Sequence, residues 1–266
     1  MATQLLMAKN PEEALSFKTA GAVFLAGGTE VNRLGSDAAA GADLLISLKK
    51  CSGLRDITEE SGYVTIGSMC TFQDLIEADA VPGYLKEAAH FMASRTKRNM
   101  ATIGGNIASL RSDSYIIPTL MAVGAVLEMK GKDGSLCRTG IAEYIDGDKG
   151  DLLITSVTVP KEIKVISKRY ANTAQSHAVL TMSAALSEEG IWLDGAVKNV
   201  GLLHFCDLEK AFREDPDISE DKIIEMVRVC TGLHTADDMF GSDEYKRYLI
   251  AVTAYDLHRR LMGKEV

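Results

Sequence analysis

Phe24-Leu25-Ala26-Gly27-Gly28-Thr29-Glu30-Val31 is the stretch on which the reading of this chain turns, and Thr102-Ile103-Gly104-Gly105-Asn106 repeats its pattern further on. In each, an apolar run ends in two glycines followed by a small polar residue. Paired glycines tolerate positive φ and leave the backbone bare, so several N–H groups can converge on an anion with no Cβ in the way. A following Thr or Asn adds a side-chain hydrogen bond. Neither stretch is the Gly-x-Gly-x-x-Gly of a Rossmann fold or the Gly-x-x-x-x-Gly-Lys of a P-loop, so a nicotinamide or ATP site of the usual kind is not indicated. One isolated Gly-Gly turn is more simply a tight turn with no ligand. Two of them, each after a strand-like run, move the reading toward a phosphate-bearing ligand.

Outward from the first stretch, residues 22–26 suit a buried strand ending in glycines. Pro11 opens a short helix over 11–19, a second short helix is expected over 31–39, and a second buried strand over 43–48. Together these make a small β-α-β-like unit. Residues 63–67 alternate as a strand, and Thr71 is placed to cap a helix over 71–78. Another helix is expected over 83–94, and the second glycine stretch reads as a turn over 99–107 between apolar runs. A helix over 118–123, a strand over 125–130, an Asp133-Gly134 hairpin turn and a strand over 152–159 closed by Pro160 follow.

From about Lys161 a further unit is expected. Antiparallel strands over 178–186 and 191–197 flank the Glu188-Glu189-Gly190 turn, and helices cover 219–230 and 242–261. In the last helix Tyr245, Tyr248, Leu249, Val252 and Tyr255 recur at helical spacing and are read as a packing face, not a catalytic row.

Composition narrows the function. The 266 residues are 46% hydrophobic and 25% charged, with a formal net charge of −8. That balance argues against nucleic acid as a partner. No run approaches the roughly 20 apolar residues of a membrane span, and the first residues do not read as a secretion signal. The five cysteines are scattered with no Cys-x-x-Cys pair, which suits reduced thiols in a cytoplasm and excludes a cluster held by closely spaced cysteines. No two of the five histidines lie three or four apart, so no metal site is expected.

The stretch Arg98-Asn99-Met100-Ala101-Thr102-Ile103-Gly104-Gly105-Asn106-Ile107-Ala108 resembles, almost residue for residue, the second FAD loop of the molybdopterin-dehydrogenase flavoproteins. These are the medium subunits of bacterial carbon monoxide and xanthine dehydrogenases, and residues 24–31 resemble their first FAD loop. Ser112-Asp113, Pro118 with Leu120, Ile66-Gly67-Ser68 before Thr71, the strand ending at Pro160 and Tyr245-Lys246-Arg247 extend the resemblance over nearly the whole chain. Around residues 95–107 and 241–248 the wording is most similar to a subgroup of FAD subunits of purine-linked hydroxylases.

The resemblance implies an α+β fold. Residues 1–160 would form a two-subdomain FAD-binding domain of the vanillyl-alcohol-oxidase-like (PCMH) type, split at about 55. Residues 161–266 would form a small α+β C-terminal domain. It implies FAD as cofactor, with Phe24, Leu25, Ala26, Gly27, Gly28, Thr29, Glu30 and Val31 wrapping its pyrophosphate and flanking the flavin. Thr102, Ile103, Gly104, Gly105 and Asn106 would meet the phosphates, Asp113 would hydrogen-bond the ribose or ribityl side, Ile154 would pack against the cofactor, Tyr170 would stack on the ring, and Met92 would lie near the adenine. It implies as partners an iron–sulfur (2Fe–2S) subunit and a molybdenum-cofactor subunit, with electrons leaving the flavin for NAD or another acceptor. No residue of this chain would be catalytic in itself, because the cofactor carries the redox chemistry.

The sequence departs from the family in two places. The Lys and Arg that usually follow the Pro160-type strand end fall near Ala171 and Ala174, just past Lys168, Arg169 and Tyr170. The Ser-Pro after the second loop is Leu110-Arg111. These departures keep open a scaffold subunit that binds FAD weakly or not at all. A stand-alone flavoenzyme of the same superfamily is the other alternative.

Overall fold

The structure, a computed structural model, describes residues 4–33, 36, 37 and 39–264. In chain order the elements are β1 (Gln4–Met7), α1 (Pro11–Ser16), β2 (Ala22–Leu25), β3 (Leu44–Ser47), β4 (Ile57–Glu60), β5 (Tyr63–Gly67), α2 (Phe72–Glu77) and α3 (Gly83–His90). There follow α4 (Arg95–Arg98), α5 (Ile103–Ser109), α6 (Ile117–Ala122), β6 (Val126–Lys130), β7 (Leu136–Gly140), α7 (Ile141–Asp146) and β8 (Leu153–Pro160). The chain ends with β9 (Lys164–Tyr170), β10 (Leu180–Ser187), β11 (Gly190–Val197), β12 (Gly201–His204), α8 (Cys206–Glu214), α9 (Glu220–Val229) and α10 (Asp243–Leu261). The fold is α+β, with antiparallel sheets predominating.

The chain divides into two compact units. The first holds residues 1–82, 94–109 and 124–161, and the second 83–93, 110–123 and 162–266. Two inner segments, carrying α3 and α6, belong to the same unit as the C-terminal residues.

In the first unit a parallel sheet of order β1-β3-β2 stands beside an antiparallel sheet of order β4-β5-β8-β6-β7. The parallel sheet packs Leu15, Ala22, Ile46 and Leu48 into a core with Leu54, Met69 and Leu153. Apolar residues on a small β-α-β framework thereby bury one face, the main favourable term in folding. Thr71 caps α2 as expected: its hydroxyl accepts from Asp74 N–H and the Asp74 carboxylate accepts from Thr71 N–H, a complete capping box. Gly134, at φ +83°, makes the turn between β6 and β7.

Two local expectations for this unit are corrected. The second glycine stretch is not a turn, because Ile103–Ser109 is helical and the two glycines sit in its first turn. The helix expected over 31–39 does not form at its described residues, which make turns and bends. Leu34, Gly35 and Ala38 of that span lie outside the described residues. The Glu30 carboxylate accepts from Arg33 (2.9 Å) and from the Ser36 hydroxyl (3.0 Å), the latter six residues along and so beyond the three- or four-residue spacing of neighbours on a helix face.

The second unit is built on the antiparallel sheet β12-β11-β10-β9. Along β10 the faces alternate. Leu180, Met182 and Ala184 join the core made with α8, α9 and α10, whereas the Ser183 hydroxyl lies 2.8 Å from the Thr119 hydroxyl of α6. With helices against both faces, the strand is buried nearly throughout. The packing face expected for α10 is corrected in part, since Leu249 and Tyr255 do pack on the core. Tyr245 and Tyr248 are 46% and 53% exposed, and the core stripe is Leu249, Ile250, Ala254, Leu257 and Leu261. These apolar positions recur at three- and four-residue steps, and the bulky tyrosines masked them.

Candidate functional site

β2 delivers the first glycine loop. Beyond Leu25, Gly28 adopts φ +76°, where a side chain would be strained. A Cβ at Gly27 would fall 1.6 Å from the Met100 carbonyl oxygen, so this loop lies directly on the backbone leading into α5. A Cβ at Gly105 would sit 3.5 Å from that of Ala26 and 2.8 Å from Thr102 Oγ1. The two glycine stretches, far apart in sequence, therefore form one patch of bare backbone.

The hydrogen bonding of the two loops differs. In the second, Ile103 N–H donates to Cys70 O, Gly104 N–H to Ser68 O, Gly105 N–H to Thr102 Oγ1 and Asn106 N–H to Thr102 O. These donors are committed to the fold. In the first, among the described residues, none accepts from the N–H groups of Gly27, Gly28 or Thr29. Three successive backbone donors without acceptors, on a loop turned by a positive-φ glycine, make an anion cradle. That is the fit expected for a pyrophosphate.

The remaining expected residues of the first unit divide by role. Phe24 is half-buried, with the Lys18 ammonium 5.8 Å from its ring centre. Leu25 borders Gly28, and Glu30 holds Arg33 and Ser36, which stiffens the cradle. Val31 is a half-buried turn residue. Ile103 is fully buried, so only its backbone is available. Ile154 lies in β8 opposite Met129, beside a register shift between Glu128 and Met129. Its neighbour Thr155 turns its hydroxyl to Glu128 O and accepts from Ser68 N–H. Ser68 thus links β8 to Gly104, and its own buried hydroxyl has no partner.

Asp113 and Tyr170 belong to the second unit. Asp113 is 3% exposed. Arg111 straddles its carboxylate, Nε to Oδ1 at 2.7 Å and Nη2 to Oδ2 at 2.6 Å. Lys198 Nζ donates to Oδ2 at 2.6 Å, and His177 Nδ1 lies 3.0 Å from the same oxygen. Burial works to raise the Asp113 pKa, but the hydrogen bonds from His177, Arg111 and Lys198 outweigh it and hold the carboxyl well below the usual range. Tyr170 closes β9, packs against the unit's core, and its carbonyl accepts from Val179 N–H. The two cations just before it are engaged. Lys168 pairs with Asp256 at 2.6 Å, and Arg169 lies over the Tyr115 ring at 5.3 Å while donating to Ser176 O.

Residues 1–162 match the family described as the FAD binding domain in molybdopterin dehydrogenase. The chain belongs to this family. FAD is the cofactor of the molybdopterin-dehydrogenase FAD subunits, and the chain is an oxidoreductase subunit of that type. A protein described as uncharacterized, YgfM of Escherichia coli K12, is 29% identical over 97% of this chain and 96% of its own length. The carbon monoxide dehydrogenase medium chain of Afipia carboxidovorans is 29% identical over 60% of this chain and 61% of its own. Among solved structures, reconstituted CO dehydrogenase from Oligotropha carboxidovorans superposes with a TM-score of 0.85 at 21% identity, covering 100% of this chain and 99% of that one. Quinoline 2-oxidoreductase from Pseudomonas putida 86 gives 0.85 at 16% identity, covering 99% and 98%. These two likenesses establish the FAD-subunit fold over the whole chain.

Sequence reasoning missed Ser68, His177 and Lys198. Ser68 carried only its place after Ile66-Gly67. His177 and Lys198 carried no signal at all, because they meet Asp113 only through the sheet of the second unit.

Proposed function

We propose that this chain binds FAD as the electron-transfer subunit of a molybdenum hydroxylase complex. It would accept electrons from an iron–sulfur (2Fe–2S) subunit and pass them to NAD or another acceptor. Hydroxylation itself would occur on a molybdenum-cofactor subunit, in a xanthine-dehydrogenase-type complex acting on CH or CH2 groups. The observation that carries this reading is the cradle at Gly27, Gly28 and Thr29, whose N–H groups have no acceptor among the described residues. Thr102 and Asn106 add polar side chains beside the bare backbone, Glu30 and Arg33 hold the loop, and Ile154 supplies apolar surface. The cofactor supplies the redox chemistry, while these residues bind it and set its surroundings. The purine-linked subgroup remains the preferred substrate class on the resemblance at residues 95–107 and 241–248.

No helix of the described residues is long and apolar enough to cross a membrane. With all five cysteines unpaired, we place the complex in the cytoplasm.

The test is an absorption spectrum of the native protein, with FAD quantified after denaturation, followed by affinity purification of the complex and assay for molybdenum and iron. Near-stoichiometric FAD with both metals in the purified assembly supports the assignment. A colourless chain that takes up no FAD even with its partners would reduce it to a scaffold, and a yellow chain that purifies alone would make it a separate flavoenzyme.

A further inference from the structure

Near each of its ends α8 meets a histidine, and the two histidines sit in opposite surroundings. The helix spans only Cys206–Glu214, too short to be stable alone. Its buried apolar anchors are Leu208 and Phe212. In its first half, the Glu209 carboxylate accepts from Leu193 N–H at 2.6 Å, and its other oxygen lies 3.5 Å from His204 Nε2. His204 Nδ1 meets the Asp194 carboxylate at 2.9 Å. One imidazole thus joins an acid of β11 to an acid of α8, and both acids are nearly dry, Asp194 1% and Glu209 9% exposed. Two carboxylates on one ring favour the imidazolium. In the second half of the helix, the Phe212 ring stacks on His258 of α10, with centroids 4.2 Å apart and planes 2° from parallel. His258 is 1% exposed, and among the described residues neither ring nitrogen has a hydrogen-bond partner. A charge there would be dry and unpaired, so this ring is held neutral.

We propose that charged His204 and neutral His258 form a two-ended, pH-sensitive clasp on α8, which holds the helix most firmly at mildly acidic pH and loosens it on either side. The hydrogen bond to Asp194 raises His204 above the ordinary histidine value. Its contribution is therefore full below about pH 6.5 and is lost as pH rises through the raised value. Burial lowers His258, so its contribution is full above about pH 6.5 and is lost as pH falls through the lowered value. Near His204 the further titratable groups are Cys206 and Asp207 at the start of α8, and Arg213 acts on Glu209. Burial pushes Asp194 and Glu209 up, so these acids also hold protons in the fold and release them in the same direction as His204. Near His258 lie Arg259 and Lys264, which disfavour its charge, and Asp217, which is paired with Lys264. α8 lines one side of a groove whose other side, at the end of α9, carries Met226, Val229 and Cys230, so loosening the helix widens that groove.

The experiment is hydrogen exchange of the native protein at a series of pH values on both sides of about pH 6.5. It reads the protection of Leu193 N–H and of the α8 amides, corrected for the intrinsic exchange rate. Release or uptake of one proton on opening changes the opening equilibrium by up to about tenfold per pH unit. Protection at Leu193 and in α8 is therefore expected to peak near pH 6.5 and to fall by up to about tenfold per unit on each side, with β10 unaffected. His204→Gln should flatten the alkaline limb alone. His258→Phe, which keeps an aromatic ring against Phe212, should flatten the acid limb alone. A flat wild-type profile would overturn the proposal, and so would a fall shared equally by β10, which reports unfolding of the whole unit. Imidazole NMR of the wild type decides without any variant: His204 titrating above the ordinary histidine value and His258 below it support the clasp, and the reverse at either ring overturns it.

Discussion

Gly27 and the Met100 carbonyl are packed so closely that a Cβ on the glycine would stand 1.6 Å from the oxygen. The contact joins the loop after β2 to the approach to α5, so the glycine is required by the fold whether or not a ligand is bound. Gly28 is different, since its constraint is a φ of +76° and its nearest obstacle is the flexible end of Asn32.

Gly27→Ala is therefore expected to push the two loops apart. The cost should be about 1–3 kcal/mol, in the range of overpacked cores, and FAD should be lost as well. Urea denaturation of the FAD-free protein reads the first effect and FAD content the second. An unchanged urea midpoint would show that the loops are not in contact.

Arg247 is the most heavily committed side chain of α10. It pairs with Asp243 and donates to the carbonyls of Val227, Cys230 and Leu233, closing the C-terminal end of α9. Arg247→Leu should strand those acceptors and cost about 3 kcal/mol. A fall in the denaturation midpoint at constant m-value would report it. The same change in Arg228, whose partner Glu225 is on the exposed face of α9, should be nearly silent.

His204 should titrate high. Its Nδ1 meets the Asp194 carboxylate at 2.9 Å and its Nε2 faces Glu209 at 3.5 Å, with the Trp192 ring alongside. The hydrogen bond to Asp194 raises its pKa, more than offsetting its partial burial. A raised folded value means the stabilisation is full below the unfolded pKa of about 6.5 and is lost as pH rises through the folded value. Imidazole NMR titration should place His204 above the ordinary histidine value, and Asp194→Asn should bring it back down. A folded wild-type midpoint at or below the ordinary value would refute the pairing.

The thiols should react in a set order. Cys206 is exposed, whereas Cys70 is 1% exposed and burial pushes its pKa up to about 11. Thiolate is the reactive form, so near neutral pH a disulfide reagent should label Cys206 first and Cys70 only after unfolding. Peptide mapping of partly labelled protein decides this, and early modification at Cys70 would contradict its burial.

Much of the architecture can be read without coordinates where local physics is strong. Alternation marks β5, the Glu188-Glu189-Gly190 turn marks β10 and β11, Thr71 announces α2, Asp133-Gly134 announces a hairpin, and the first glycine pair marks the cradle. Elements with weak local signals escape. β9 (Lys-Val-Ile-Ser-Lys-Arg-Tyr) mixes charge into both faces, and it is a strand because β10 offers it a ladder of partners. The short strands β1, β4 and β12 are likewise stabilised by pairing more than by composition.

By itself, the sequence determined the positions of bare backbone through its paired glycines, while the family and the cofactor class came from a resemblance that runs over nearly the whole chain. Tertiary structure alone decided what each of those residues does. It spends the N–H groups of the second loop on the fold and leaves those of Gly27, Gly28 and Thr29 without acceptors among the described residues. It also brings Lys198 and His177 to Asp113. Hydrogen bonds and charges act over a few ångströms in space, so partners this far apart in the chain can be recognised only once the sheet of the second unit has brought them together.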